Sequence, residues 1–133
     1  MPTQIERVGN YKAMILVIAE QDTKLRYAIS ILAHDQPGWT ISGIVGSFDE
    51  LLTVLENSNP EMLIVDLDMP GMNEIQLEKH LPNSVKQVVL LASNLTGCTF
   101  KTEAHREKWN WVSKSEYPEL LVKLFADCDY YSS

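Results

Sequence analysis

The sequence predicts an α/β fold, a doubly wound five-stranded parallel sheet in the order 2-1-3-4-5 with helices on both faces. Three observations predict it. Five short apolar runs alternate with stretches of helical periodicity. Three of those runs are nearly continuous, as strands buried on both faces of a parallel sheet are. The chain has 133 residues, 45% hydrophobic and 22% charged, the mix of one globular domain able to bury a core without disulfides or metal.

Taken in order, residues 1–11 are polar and read as a lead-in to a domain spanning 12–127. The first strand is AMILVIA (13–19). Leu25, Ala28, Ile29 and Leu32 then recur at i, i+3, i+4 and i+7, which makes one apolar helix face. TISGIV (40–45) is a weaker run and reads as an edge strand. Phe48, Leu51, Leu52 and Leu55 repeat the helical spacing, and Ser47 with Glu50 forms a capping box in front of them. MLIVD (62–66) is the third strand. After Asn73, Ile75, Leu77 and Leu81 mark a short, poorly patterned helix that Pro82 ends. QVVLL (87–91) is the fourth strand. Residues 94–108 are polar with only faint periodicity, so no helix is assigned there. WNWVS (109–113) is the fifth strand. Pro118 suits a first helical turn, and Leu120, Leu121, Leu124 and Phe125 form the stripe of a last helix. Residues 128–133 read as a tail or the start of a linker.

Composition excludes several classes. With 11 basic and 18 acidic residues the formal charge is −7, so nucleic acid and anionic membranes are not expected partners. Cys98 and Cys128 are isolated, and His34, His80 and His105 share no ligand spacing, so neither a disulfide framework nor a zinc site is expected. No signal sequence or membrane span is visible, because the first apolar run is too short. A cytoplasmic location is the expectation.

Ligands of such sheets bind at the carboxyl ends of the strands. The residues there are Glu20, Asp66, Leu91 to Ser93, and Lys114. The strongest local signal is Asp66-Leu67-Asp68-Met69-Pro70-Gly71-Met72-Asn73, which follows a buried strand. Pro70-Gly71 suits the centre of a type II turn. A strand-end carboxylate such as Asp66 can attack phosphorus and form an aspartyl-phosphate. That chemistry calls for a hard cation held by oxygen ligands and for an ammonium near the phosphoryl oxygens. Glu20 can serve the first and Lys114 the second.

With these motifs in their strand-end positions, residues 12–127 resemble the CheY-like receiver domains of two-component response regulators. The stretch WVSKSEYPELL resembles receivers of regulators that carry a C-terminal helix-turn-helix. The resemblance implies a flavodoxin-like fold with Asp66 as phosphoacceptor and Lys114 as the phosphoryl-contacting lysine. It implies a Mg²⁺ site at Glu20, Asp66 and the backbone carbonyl of Asp68. It also implies a switch aromatic at Trp111, a sensor histidine kinase as phosphodonor, and dimer contacts through the face formed by residues 94–127. A DNA-binding output domain would lie outside this chain. Such a domain is a signalling module, which at most catalyses its own phosphorylation and dephosphorylation.

The chain also departs from the pattern. The acidic pair after the first strand is Ala19-Glu20, which removes one acid and lengthens the other, so Mg²⁺ binding should be weak. The strand-four hydroxyl position is Leu91, with Ser93 the nearest hydroxyl, so phosphorylation is expected to switch Trp111 poorly. Two other readings stand beside an active receiver. One is a pseudo-receiver that acts as an interaction or dimerisation module without phosphorylation. The other, more remote, is a haloacid dehalogenase-type phosphatase, suggested by LIVDLD but mismatched at Pro70. Single residues also have plainer readings: Glu20 as a first-turn acid, Lys114 as a surface lysine, Asp68 as a solvated turn acid, and Trp39, Trp109 and Trp111 as packing residues.

Overall fold

The computed structural model describes residues 14–93 and 109–127. Strands β1 (Met14–Ala19), β2 (Trp39–Val45), β3 (Met62–Asp66), β4 (Gln87–Ala92) and β5 (Trp109–Ser113) form one sheet in the order β2-β1-β3-β4-β5. All four pairings are parallel. Helices α1 (Thr23–His34), α2 (Phe48–Asn57), α3 (Glu74–His80) and α4 (Tyr117–Asp127) connect or follow them. The strand order is the expected one, with β2 at an edge. The stretch 94–108, the lead-in 1–11 and the tail 128–133 lie outside the described residues.

The period-two alternation of the strands sorts the core into two layers. Leu16, Ile18, Met62, Ile64, Val89, Leu91 and Val112 pack on one face with Ile29 and Ala33 of α1 and Leu121 and Phe125 of α4. Val17, Ala19, Leu63, Val65, Val88, Leu90 and Trp109 pack on the other with Leu51 and Leu55 of α2 and Leu77 of α3. Trp39 meets Phe125 edge-on, with ring centroids 5.1 Å apart. These tryptophans are packing residues, in line with their plainer reading.

Local chemistry fixes the ends of the elements. Ser47 Oγ accepts from the Glu50 N–H, while Glu50 reaches back to the N–H of Gly46 rather than Ser47. The capping box is therefore offset by one residue. Asp22 caps α1 through the N–H groups of Lys24 and Leu25, and Asn73 caps α3 through that of Gln76. The expected turn is present: the Met72 N–H donates to the Met69 carbonyl, and Gly71 has φ +78. β1 and β2 slip register between Leu16 and Val17, where Ser42 is passed over. Beside that bulge, a Cβ on Gly43 would press on Val54 Cγ1 at 3.1 Å. Among the described residues, no helix is long and apolar enough to cross a membrane.

Candidate functional site

The alternation that builds the core also builds the site. Leu16 and Ile18 lead by twos to Glu20, Met62 and Ile64 to Asp66, and Val112 to Lys114. Three ionisable side chains from different strand ends thus lie above the same layer, the one that α1 and α4 cover. Strand pairing sets their height, with Asp66 opposite Leu91 and the N–H of Lys114 bonded to the carbonyl of Ala92.

Lys114 Nζ lies 2.8 Å from Asp66 Oδ1, 3.5 Å from Glu20 Oε2 and 3.3 Å from Asp68 Oδ2. Glu20 and Asp66 are fully buried, and Lys114 is only 18% exposed. One ammonium therefore serves three carboxylates, an arrangement stable only if other donors help. They do. Asp66 Oδ1 accepts from the Asp68 N–H at 2.8 Å and Oδ2 from the Gln21 N–H at 3.3 Å. Glu20 Oε2 accepts from the Asp22 N–H at 3.0 Å, whereas its Oε1 is buried with no partner. The Arg26 guanidinium donates to the Glu20 carbonyl and fixes that strand end, and it occupies space that a side chain at Gly46 would need.

Electrostatics follow from this crowding. Burial, and then the neighbouring Asp66 carboxylate, push the Glu20 carboxyl up to about 7, against the pull of the Asp22 N–H and Lys114. Burial alone would lower the Lys114 pKa, but Asp66, then Glu20 and Asp68, raise it, so the ammonium is locked in its charged form. For Asp68, burial pulls upward, yet the Ser93 hydroxyl and N–H together with Lys114 outweigh it and hold the carboxyl below its ordinary value.

Two positions, Asp68 and Gln21, do more than the sequence implies. The resemblance puts the Asp68 carbonyl to use, and the plainer reading leaves its side chain in solvent, where it is 41% exposed. That exposed side chain also accepts from Ser93 Oγ at 2.8 Å and Ser93 N at 3.2 Å, and it meets Lys114. The Asp68 carbonyl, in turn, accepts the Gln21 side-chain amide at 2.9 Å. Nothing in the sequence singles out Gln21, because its partner lies 47 residues away. Of the switch positions, Leu91 is fully buried on the Asp66 side of the sheet, while Trp111 packs against the opposite layer.

A hard cation fits the donor chemistry in part. Glu20, with its unpartnered Oε1, and Asp66 are oxygen ligands in negative excess over Lys114. The third expected ligand, the Asp68 carbonyl, already has a hydrogen-bond donor. Among the described residues, no three His, Cys, Asp or Glu side chains converge as a metal site.

The chain has the fold of response-regulator receiver domains. A receiver domain protein of Bacillus halodurans superposes with a TM-score of 0.71 at 14% identity, covering 86% of this chain and 96% of that one. The response regulator domain of Thermotoga maritima CheB gives 0.68 at 16% identity over 86% of this chain and 95% of that one. The RcsB response regulator of Salmonella typhimurium gives 0.69 at 21% identity over 86% of this chain and 59% of that one. At such identities the likeness is one of fold. Among curated proteins, a protein-glutamate methylesterase/protein-glutamine glutaminase of Nitratidesulfovibrio vulgaris is 25% identical over 81 residues, which is 61% of this chain. A second, from Oleidesulfovibrio alaskensis, is 24% identical over 81 residues, again 61% of this chain. This chain spans 22% of the length of each of these two relatives. No protein-family model matches the chain.

Proposed function

We propose that this chain is a receiver that accepts a phosphoryl group on Asp66 from the phosphohistidine of a sensor histidine kinase. The observation that carries the reading is the Lys114 ammonium 2.8 Å from a fully buried Asp66 carboxylate at the end of the central strand. In the transfer, an Asp66 oxygen bonds to phosphorus while the phosphorus–nitrogen bond of the donor breaks. The imidazole leaves and takes its proton from solvent. Lys114 is already in place to take up charge on the phosphoryl oxygens, so little reorganisation is needed. Glu20, Asp66 and the Asp68 carbonyl would hold Mg²⁺, which when bound offsets the charge of carboxylate plus phosphoryl group. Incubation with acetyl phosphate and Mg²⁺, followed by intact-mass measurement, tests the reading. A gain of one phosphoryl group is expected in the natural protein and not in Asp66→Asn. No gain in either protein sinks it.

Output is proposed to be weakly switched and to run through the face formed by residues 94–127, by homodimerisation or by contact with a DNA-binding output domain. Of that face, β5 and α4 are described, and Leu120 and Val122 of α4 are each 37% exposed. A second reading, a phosphorylation-independent interaction module, is favoured by Leu91. This buried apolar side chain stands opposite Asp66 and offers the phosphoryl group no hydrogen bond.

A further inference from the structure

Gln21 follows Glu20 at the end of β1, and it touches the site twice. Its N–H donates to Asp66 Oδ2, and its side-chain amide donates to the Asp68 carbonyl at 2.9 Å. A carbonyl oxygen only accepts, so the nitrogen end of the amide faces the site with its partly positive hydrogens. That oxygen has two lone pairs, and a cation on one of them would lie beside those hydrogens and be repelled by them. The second observation is Glu20 Oε1, fully buried and without a partner. A carboxylate oxygen left so is expensive unless a proton or a cation joins it.

We propose that Gln21 is a latch on the cation position: its amide and a divalent cation compete for the Asp68 carbonyl, so the cation binds only when the Gln21 side chain swings out. The proposal rests on the reading that a cation binds beside Asp66. The latch acts through the side chain alone, because the backbone N–H to Asp66 is present whatever residue stands at 21. Gln21 is exposed, so the side chain has room to leave and replacements there disturb no core packing. It also supplies a cause of weak cation binding separate from the missing acid at Ala19. Losing one neutral hydrogen bond corresponds to roughly a three- to ten-fold change in affinity.

The experiment is calorimetric titration of the full chain with MgCl₂ in the natural protein, Gln21→Met and Gln21→Ala, and in each combined with Glu20→Gln. Gln21→Met keeps the length of the side chain and removes its amide, donor and acceptor together. Both single variants are expected to bind Mg²⁺ about three- to ten-fold more tightly, and Glu20→Gln is expected to abolish that gain. Unchanged affinity overturns the latch, as does the absence of binding in every variant. Weaker binding overturns it too, by making the amide oxygen a ligand rather than the amide nitrogen a competitor. A gain that survives Glu20→Gln places the cation elsewhere and likewise overturns it. Phosphoryl incorporation from acetyl phosphate, measured on the same samples, separates this proposal from the one beneath it. Incorporation at Asp66 with unchanged affinity removes the latch and leaves the acceptor. Tighter Mg²⁺ binding without incorporation removes the acceptor and leaves the latch.

Discussion

At Glu20 a buried carboxyl faces a buried carboxylate, and pH decides how much charge the pair must carry. Its pKa is raised in the fold to about 7 from 4.5. A raised pKa means that the folded state holds the proton more tightly. The contribution to stability is therefore full below about 4.5 and is lost as pH rises through about 7. In cation-free buffer the loss should be on the order of 3 kcal/mol between pH 4 and pH 8. Urea unfolding at both pH values should show this slope in the natural protein and a flatter one in Glu20→Gln. Equal slopes would mean that Glu20 ionises in the fold as it does in water. Lys114 makes a complementary case. Lys114→Ala leaves Asp66 and Glu20 buried without their cation and should cost about 3–5 kcal/mol at pH 8. Adding Asp66→Asn should recover much of that loss, and a purely additive double mutant would show that the pair is not coupled. Asp66, Glu20 and Lys114 can be read from the sequence because each ends an apolar run at a strand's carboxyl end. Gln21 and the Asp68–Ser93 pair cannot, since strand pairing, not local pattern, brings their partners within reach.

Among the elements, β3 and β5 have the expected bounds, β2 begins one residue earlier at Trp39, and β4 ends one later at Ala92. Buried apolar runs declare themselves because a central parallel strand has no solvent face. Helix starts are harder to see. Asp22 lies directly between the site residues and α1, so in the sequence its cap looks like one more polar residue of a loop. Removing it should be felt: Asp22→Ala frees two N–H groups of the first turn and should lower stability by about 1 kcal/mol in urea unfolding. A change within error would mean that solvent satisfies those groups equally well. Gly71 is a second such point. Its φ of +78 lies where side chains are strained, yet a Cβ there would meet no packed neighbour within 4 Å, so Gly71→Ala should cost about 1 kcal/mol from backbone strain alone.

Across the whole molecule, the sheet separates the chemistry from the residue expected to report it. Asp66 and Leu91 stand over the layer covered by α1 and α4, whereas Trp111 packs on the α2 and α3 side. Without a hydroxyl at Leu91, a phosphoryl group on Asp66 has little differential hold on any alternative state, and a ligand shifts an equilibrium only by its differential affinity. Trp111 fluorescence should therefore change little when beryllium fluoride is added, and Leu91→Thr should enlarge the change. The strand order can be foreseen because alternating elements with right-handed crossovers leave few topologies. The division of labour between the two faces cannot, since it depends on which residue of each strand is first to point up.

Whether Asp66 accepts phosphoryl groups with Lys114 as its charge partner can be read from the product itself. The protein is treated with acetyl phosphate and Mg²⁺, the acyl phosphate is reduced with borohydride, and the product is mapped by peptide mass spectrometry. Reduction at Asp66 is expected in the natural protein, with a marked loss in Lys114→Ala. Reduction at Asp68 instead, or none at Asp66 in a folded sample, would contradict Asp66 as the acceptor.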